Sequence, residues 1–177
     1  GDFYMLSAGV DYLKNEDVLI GLGAQFDWTD MTGPVGGSSM SGQGILVGPY
    51  VTARLRDGLY FDGQISIGRS SNEVSPFGVY EDDVDAERTY LSAALIGDIK
   101  NGAWTVRPEG RVTFFREEMD SYVDSLGVTI PSIEVSTGEF EFSPTVRYRY
   151  ELADESTFTP FASIEGIWTF EHQDTAA

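Results

Sequence analysis

Apolar and polar side chains alternate along most of this chain with a period of two. Between Val18 and Trp28, for example, every second residue is apolar, and glycine, glutamine and aspartate occupy most of the positions between. Successive side chains of a β-strand point to opposite faces, so the pattern predicts strands with one apolar and one polar face. Eight segments follow it: Phe3 to Leu13, Val18 to Trp28, Gly44 to Leu55, Leu59 to Gly68, Thr89 to Ile99, Trp104 to Glu117, Glu139 to Glu151 and Phe158 to Phe170.

The segments between these predicted strands alternate in length. Two short ones contain Asp57-Gly58 and Asn101-Gly102, which favour tight β-hairpin turns because glycine and asparagine tolerate a positive φ. The short connections cover residues 14–17, 56–58, 100–102 and 152–155, and the long ones cover 29–43, 70–88 and 118–138. This alternation places every short turn at one end of the sheet and every long loop at the other, as in bacterial outer-membrane barrels.

The fold class that follows is all-β, an antiparallel up-and-down meander of about eight strands that forms a β-barrel. We expect a single barrel domain over residues 1–177. Four prolines fall inside the predicted strands, at Pro49, Pro108, Pro144 and Pro160. Proline has no N–H to donate to a ladder, so each of them predicts a strand edge, a bulge or a strand end.

Two features favour a membrane barrel over a soluble β-barrel or sandwich that acts as a binding module. A soluble sheet packs its apolar face inside a dry core, whereas a membrane barrel turns that face to lipid. The polar face carries charges of both signs in mid-strand, and the predicted strands contain no lysine, which favours a wet interior over an ordinary soluble surface. Aromatic residues gather near the ends of the apolar stripes, like an interfacial girdle: Tyr12, Trp28, Trp104, Tyr148, Tyr150, Trp168 and Phe170.

Charged residues on the polar face form the candidate site. They are Arg54, Arg107, Glu109, Arg111, Arg147, Arg149 and Glu165. One interpretation is a polar lumen that lines a polypeptide linker or passenger. The other is a network in which the charges only satisfy one another, and we favour it because charges held away from water need partners in any case.

Composition narrows the chemistry. The formal net charge of −18 excludes nucleic acid as a partner, since phosphate binding needs clustered Lys and Arg. The chain has no cysteine and a single histidine, His172, which leaves no thiol nucleophile, disulfide or two-histidine metal site. The acidic run from Glu81 to Glu87 lacks the spacing of a calcium loop, so we interpret it as solvated. We expect no enzyme activity, cofactor or metal; an outer-membrane enzyme that uses loop carboxylates is the catalytic alternative.

Several segments resemble the autotransporter β-domain family. They are, in order, Gly9 to Leu13 with Val18 to Gly23, Gly48 to Val51 with Leu59 to Gly63, Arg107 to Glu109, Phe115 to Glu117, Asp120 to Gly127 and Glu165 to Phe170. The first two pairs are similar to strand hairpins of the family, and the stretch from Arg107 to Gly127 resembles its most recognisable segment. The resemblance covers most of the chain and rests on the order and spacing of these motifs.

The resemblance implies an outer-membrane translocator of a Gram-negative bacterium that anchors a passenger domain and helps to export it. The implied partners are outer-membrane lipid, a passenger or its linker, and the barrel-assembly machinery. Barrels of the family usually have twelve strands, around a lumen that holds a helical linker. This chain offers eight, no upstream passenger, and an end at Glu171-His172-Gln173-Asp174 without a closing aromatic strand. We therefore expect strands to be missing at both ends, which would make the domain a partial barrel; the alternative is a divergent, smaller barrel.

Overall fold

The computed structural model describes residues 1–33, 37–75, 78–153 and 156–176. The first half forms two hairpins, with strands β1 (Asp2–Asn15), β2 (Val18–Thr32), β3 (Ser39–Arg56) and β4 (Leu59–Ser75). Next come β5 (Asp82–Gly97), β6 (Ile99–Asn101), β7 (Trp104–Arg107) and β8 (Glu109–Met119). The last part contains β9 (Tyr122–Val123), β10 (Thr129–Ile130), β11 (Ile133–Phe142), β12 (Thr145–Tyr148), β13 (Tyr150–Glu151), β14 (Thr157–Phe158), β15 (Phe161–Ser163) and β16 (Gly166–Ala176).

One sheet dominates the molecule. Its eight strands lie in the order β1-β2-β3-β4-β5-β8-β11-β16, and β1 and β16 are its outermost described strands. A four-stranded sheet runs β15-β12-β7-β6, and two small ladders join β9 to β10 and β13 to β14. Each described pairing is antiparallel and joins hairpin neighbours. The predicted all-β antiparallel meander is confirmed.

The four-stranded sheet continues the large one. Ile96 of β5 faces Glu109 of β8, and three residues further along each strand Ile99 of β6 faces Val106 of β7. The register is therefore unbroken, and β5 with β6, like β7 with β8, forms one long strand with a gap in its ladder. Pro108 lies in such a gap, because it has no N–H to donate.

Two other prolines explain the remaining gaps. Pro144 separates β11 from β12, and Pro160 separates β14 from β15. Pro49 stays within β3, where the pairs with β4 stop at Val47 and resume at Tyr50. The prolines thus remove ladder hydrogen bonds without ending the meander.

The strands extend beyond their predicted ends. β2 reaches Thr32 and β3 begins at Ser39, so the long loop expected over residues 29–43 was wrong; β4 and β5 likewise occupy most of 70–88. The outer apolar stripe ends there, because its positions carry Ser71, Glu73, Asp83 and Asp85, although the backbone ladder continues. The third connection, expected over 118–138, holds the β9–β10 ladder before β11 begins at Ile133. The short turn expected at 152–155 lies partly outside the described residues.

Large apolar side chains lie on the outside of this sheet. Val10, Leu22 and Ile67 expose 71%, 53% and 66% of their surface, and no large side chain among the described residues is fully buried. The soluble alternative predicted these side chains to be buried inside the sheet, and that prediction was wrong. None of the described segments is a helix of the length and apolar character needed to cross a membrane.

Candidate functional site

An ion pair that reaches across two intervening strands shows how the sheet bends. Arg88 of β5 donates from Nη1 to both carboxylate oxygens of Asp27 on β2, at 2.9 and 2.8 Å. The strands β3 and β4 lie between them. In a flat sheet, strands three places apart are about 14 Å from one another, which is beyond the reach of the two side chains. The sheet therefore curves strongly, and the face that carries Asp27 and Arg88 is its concave face.

Gly44 of β3 makes room for this pair. It lies directly opposite Asp27 in the β2–β3 register. A Cβ atom at Gly44 would overlap Arg88 Nη1 and would come within 2.7 and 2.8 Å of the Asp27 carboxylate oxygens. Only glycine lets the two side chains meet over this point of the sheet.

The pair belongs to a polar cluster near the long-loop end, which we call the outer cluster: Asp27, Ser70, Asn72, Arg88 and Glu117. Arg88 Nε lies 3.1 Å from Glu117 Oε2. The two groups form an ion pair, although the N–H group does not meet the geometry of a hydrogen bond. Ser70 donates its hydroxyl to Glu117 Oε1 at 2.8 Å, and Asn72 donates to Ser70 at 3.3 Å. The side chains of Arg88 and Asp27 are 14% and 8% exposed. One guanidinium therefore neutralises one of two largely shielded carboxylates.

A second group of charges lies further toward the short turns on the same face. Arg111 donates from Nη2 to Glu109 at 2.7 Å and from Nη1 to Ser92 at 3.3 Å. Glu141 of β11 lies opposite Arg111 in the β8–β11 register. Between this group and β1, a groove of about 640 Å³ is lined by residues that include Gln25, Tyr50, Tyr90 and Phe115. The concave face thus combines a polar surface with open space.

The structure divides the seven charges that the sequence assigned to one network. Arg54 pairs with Asp17 at 2.6 Å, Arg111 with Glu109, and Arg149 with Glu151 at 3.4 Å. Within the described part of the chain, no ion pair is formed by Arg107, Arg147 or Glu165. The lumen-lining role of these seven residues stays a prediction.

Sequence reasoning missed the outer cluster. Arg88 was assigned to a long loop, whereas it lies inside β5, four and six residues before Ser92 and Ala94 on the same face. Asp27 was placed on the polar face of its strand, but nothing along the chain links it to Arg88. The available signal was the period-two pattern itself, which continues from Ser92 back through Tyr90 to Arg88.

The loops beyond the sheet are tied together by carboxylates. Asp124 accepts hydrogen bonds from the N–H groups of Leu126 and Val128 at 2.9 and 2.7 Å, and from the Tyr80 hydroxyl at 3.3 Å. Asp82 accepts from the hydroxyl and N–H groups of Ser125 at 2.6 and 3.0 Å. Partial burial raises the pKa of Tyr80, and the Asp124 carboxylate raises it further.

The acidic run is more structured than a solvated loop. Most of it, from Asp82 onward, lies in β5, and Glu87 contacts Arg69 at 3.7 Å on the exposed side of the sheet. Among the described residues, no group of three His, Cys, Asp or Glu side chains could hold a metal ion.

Comparison with known proteins decides the family. A family model described as "Autotransporter beta-domain" matches residues 1–177. The chain belongs to this family. The resemblance seen in the sequence is confirmed, and membership places the domain in the outer membrane of a Gram-negative bacterium as a β-barrel translocator domain. No curated protein matches the chain.

Two solved structures share the fold of this autotransporter β-domain. The β-domain of the Bordetella autotransporter BrkA aligns with a TM-score of 0.70 and 18% identity, over 95% of this chain and 71% of that one. The translocator domain of the autotransporter NalP from Neisseria meningitidis aligns with a TM-score of 0.68 and 14% identity, over 97% of this chain and 62% of that one. At these identities the likeness concerns the fold alone.

Proposed function

We propose that this autotransporter β-domain anchors a passenger domain in the outer membrane and helps to export it, with the concave face lining the passage. The family supports the coarser statement, a translocator domain of the outer membrane. The finer one rests on the chemistry of the sheet's two faces.

The observation that carries the proposal is the separation of polar and apolar residues within single strands. On β8, Arg111 and Thr113 lie on the concave face, while Val112 and Phe114 point to the other side. An outer surface with an exposed valine and a half-buried phenylalanine suits contact with lipid, and a curved surface with paired charges suits contact with water and a polypeptide. The arrangement supports a lipid-embedded sheet whose concave side encloses the exported segment.

The remaining parts of the proposal concern partners and catalysis. We propose outer-membrane lipid around the apolar face and the barrel-assembly machinery as the partner that inserts the sheet. We also propose that the domain carries out no reaction of its own, since the chain holds no cysteine and one histidine. The single-domain organisation over residues 1–177 belongs to the same proposal.

Photo-crosslinking during export tests the passage directly. A crosslinking amino acid is placed at Thr113 or at Val112, which are neighbours on β8 and point to opposite faces. The domain is expressed in a Gram-negative host behind a signal peptide and a tagged passenger that is stalled in transit. We expect passenger crosslinks from Thr113 and lipid adducts from Val112. Passenger crosslinks from Val112 with none from Thr113 would overturn the proposal.

A further inference from the structure

Two arginines on the concave face form no ion pair among the described residues; the register places Asp98 opposite Arg107, but Asp98 pairs with Lys100 at 3.1 Å. Arg107 of β7 and Arg147 of β12 are exposed and, among the described residues, make no side-chain hydrogen bond or ion pair. Arg54, Arg88 and Arg111 on the same face each pair with a carboxylate. In a chain with 29 acids and 11 bases, cations without a partner are unexpected.

Strand register brings these two arginines together. Thr145 faces Arg107 and Thr105 faces Arg147, so the arginines are diagonal neighbours on one face. Diagonal neighbours of an antiparallel pair lie about 7–8 Å apart, within joint reach of one ligand. Two like charges at this distance repel, which makes an anion between them favourable.

The position of the pair in the fold is also defined. Arg107 follows the alternation of Glu109 and Arg111 through the Pro108 interruption, so it faces the concave side. Trp104, at the start of the same short strand, closes the tight turn after Asn101 and Gly102. The arginines therefore lie at the short-turn end of the sheet, which is the periplasmic end in outer-membrane barrels.

The chemistry of the site fits carboxylates. A guanidinium presents paired N–H donors that match a carboxylate fork, and the hydroxyl groups of Thr105 and Thr145 lie beside them. Glu109, the next residue after Arg107 on this face, pairs with Arg111, and Glu141 lies opposite Arg111, so that these two carboxylates would repel an acidic ligand beyond the two arginines. An acidic segment is thus favoured at the short-turn end and disfavoured beyond it.

We infer that Arg107 and Arg147 bind the carboxylates of an acidic stretch of the polypeptide that occupies the concave face. The inference rests on the proposed function, because that function supplies the polypeptide. It names the chemistry of the segment at the periplasmic entrance: aspartate and glutamate side chains held by two guanidinium groups.

Peptide binding tests this inference on the full chain refolded in detergent micelles. The probe is a fluorescein-labelled decapeptide of Asp, Glu and Ser, and the matched probe replaces every acid by Asn or Gln. We expect the acidic probe to bind, the amide probe to bind at least about tenfold more weakly, and added salt to reduce the difference. The double variant Arg107→Gln/Arg147→Gln should lose about tenfold in affinity for the acidic probe.

The controls separate this site from the general loss of positive charge. Arg69→Gln/Arg116→Gln also removes two charges, but from side chains on the opposite face that already contact Glu87 and Glu134. It should bind the acidic probe like the unaltered chain. Arg107→Lys/Arg147→Lys keeps the charge but loses the paired N–H donors, so it should bind the acidic probe more weakly than the unaltered chain and more tightly than the Gln variant. Far-UV circular dichroism checks that each variant folds.

Two outcomes would overturn the inference: equal binding of both probes, or equal losses in the concave-face and opposite-face double variants. These outcomes are distinct from failure of the proposed function. Passenger crosslinks at Thr113 without selective peptide binding would contradict only the inference about the two arginines. Selective peptide binding without passenger crosslinks would contradict the proposed passage along the concave face and would still support binding of carboxylates by the two arginines.

Discussion

The ring of Tyr50 on β3 lies directly on Gly21 of β2. A Cβ atom at Gly21 would overlap the ring, and the Tyr50 hydroxyl extends past it to donate to Asp11 of β1 at 3.0 Å. One side chain thus covers a glycine of the neighbouring strand and contacts the strand beyond. Because Gly21 has no side chain, the ring can pack against its backbone, and the ring in turn covers that backbone.

Replacement of Gly21 should therefore depend on Tyr50. We expect Gly21→Ala to lower the free energy of unfolding by about 1–3 kcal/mol, because the added methyl group displaces the ring. The loss should shrink when Tyr50→Ala is already present, as urea unfolding in lipid bilayers would measure. Gly110→Ala is the matched control, since its Cβ would meet Phe140 at an ordinary 3.7 Å. Strictly additive effects of the two substitutions would contradict this relationship.

The Asp27–Arg88 pair should be the most sensitive charge interaction on the concave face. Arg88→Gln leaves Asp27 and Glu117 shielded from water without their cation, so we expect a loss of about 3 kcal/mol in the free energy of unfolding. Asp27→Asn added to Arg88→Gln should cost less than the sum of the two single changes, because one of the two unpaired carboxylates is then neutral.

The exposed Arg69–Glu87 pair provides the comparison. Its side chains are 80% and 76% exposed and 3.7 Å apart. Arg69→Gln should change the free energy of unfolding by no more than about 1 kcal/mol. A similar loss for Arg69→Gln and Arg88→Gln in the same denaturation experiment would show that the outer cluster is not a stabilising network.

Alternation predicts the strands wherever one face of the sheet meets an apolar environment. From Val18 to Trp28 the apolar residues recur because they lie on the outer face of the sheet, and β2 forms as predicted. The prediction failed beyond Trp28 and before Thr89, where the outer face becomes polar and the apolar residues Val84 and Ala86 lie on the concave face instead. The prolines caused less disruption than expected, because a missing N–H removes one hydrogen bond without shifting the register.

The candidate site was less accessible to prediction because it depends on curvature. Glu109 and Arg111 pair within one strand, and their spacing alone predicts the contact. Asp27 and Arg88 meet only because the sheet bends and Gly44 leaves space between them. The period-two pattern predicts neither the bend of the sheet nor the space above Gly44, so this ion pair could be found only from the three-dimensional structure.

The two faces of the sheet should differ in the medium that they meet. Leu22 and Ile65, with 53% and 48% of their surface exposed, should contact lipid, and their near neighbours Gln25 and Gln64 should contact water. Single cysteines at the four positions are spin-labelled after refolding in bilayers. We expect the first two labels to be relaxed by a lipid-soluble quencher and the other two by an aqueous one. Reversed accessibilities would mean that the concave face is the lipid-facing side.

A last prediction concerns the outer loops, where Tyr80 donates to Asp124. The pKa of Tyr80 is raised above its ordinary 10.0, first by partial burial and then by the Asp124 carboxylate. Since the folded chain holds this proton more tightly than the unfolded chain, the hydroxyl's contribution to stability is present below pH 10.0. It is lost as the pH rises through the higher pKa of the folded state.

Ultraviolet titration of the phenolate, with Tyr80→Phe subtracted to isolate this residue, measures the midpoint. Asp124→Asn should lower the midpoint toward 10.0 without reaching it, because the partial burial remains. It should also accelerate amide hydrogen exchange at Leu126 and Val128, because their N–H groups donate hydrogen bonds to Asp124. Asp120→Asn, an exposed change in the same loop, should leave both readouts unaltered. An unchanged Tyr80 midpoint in Asp124→Asn would show that this contact does not join the two loops in solution.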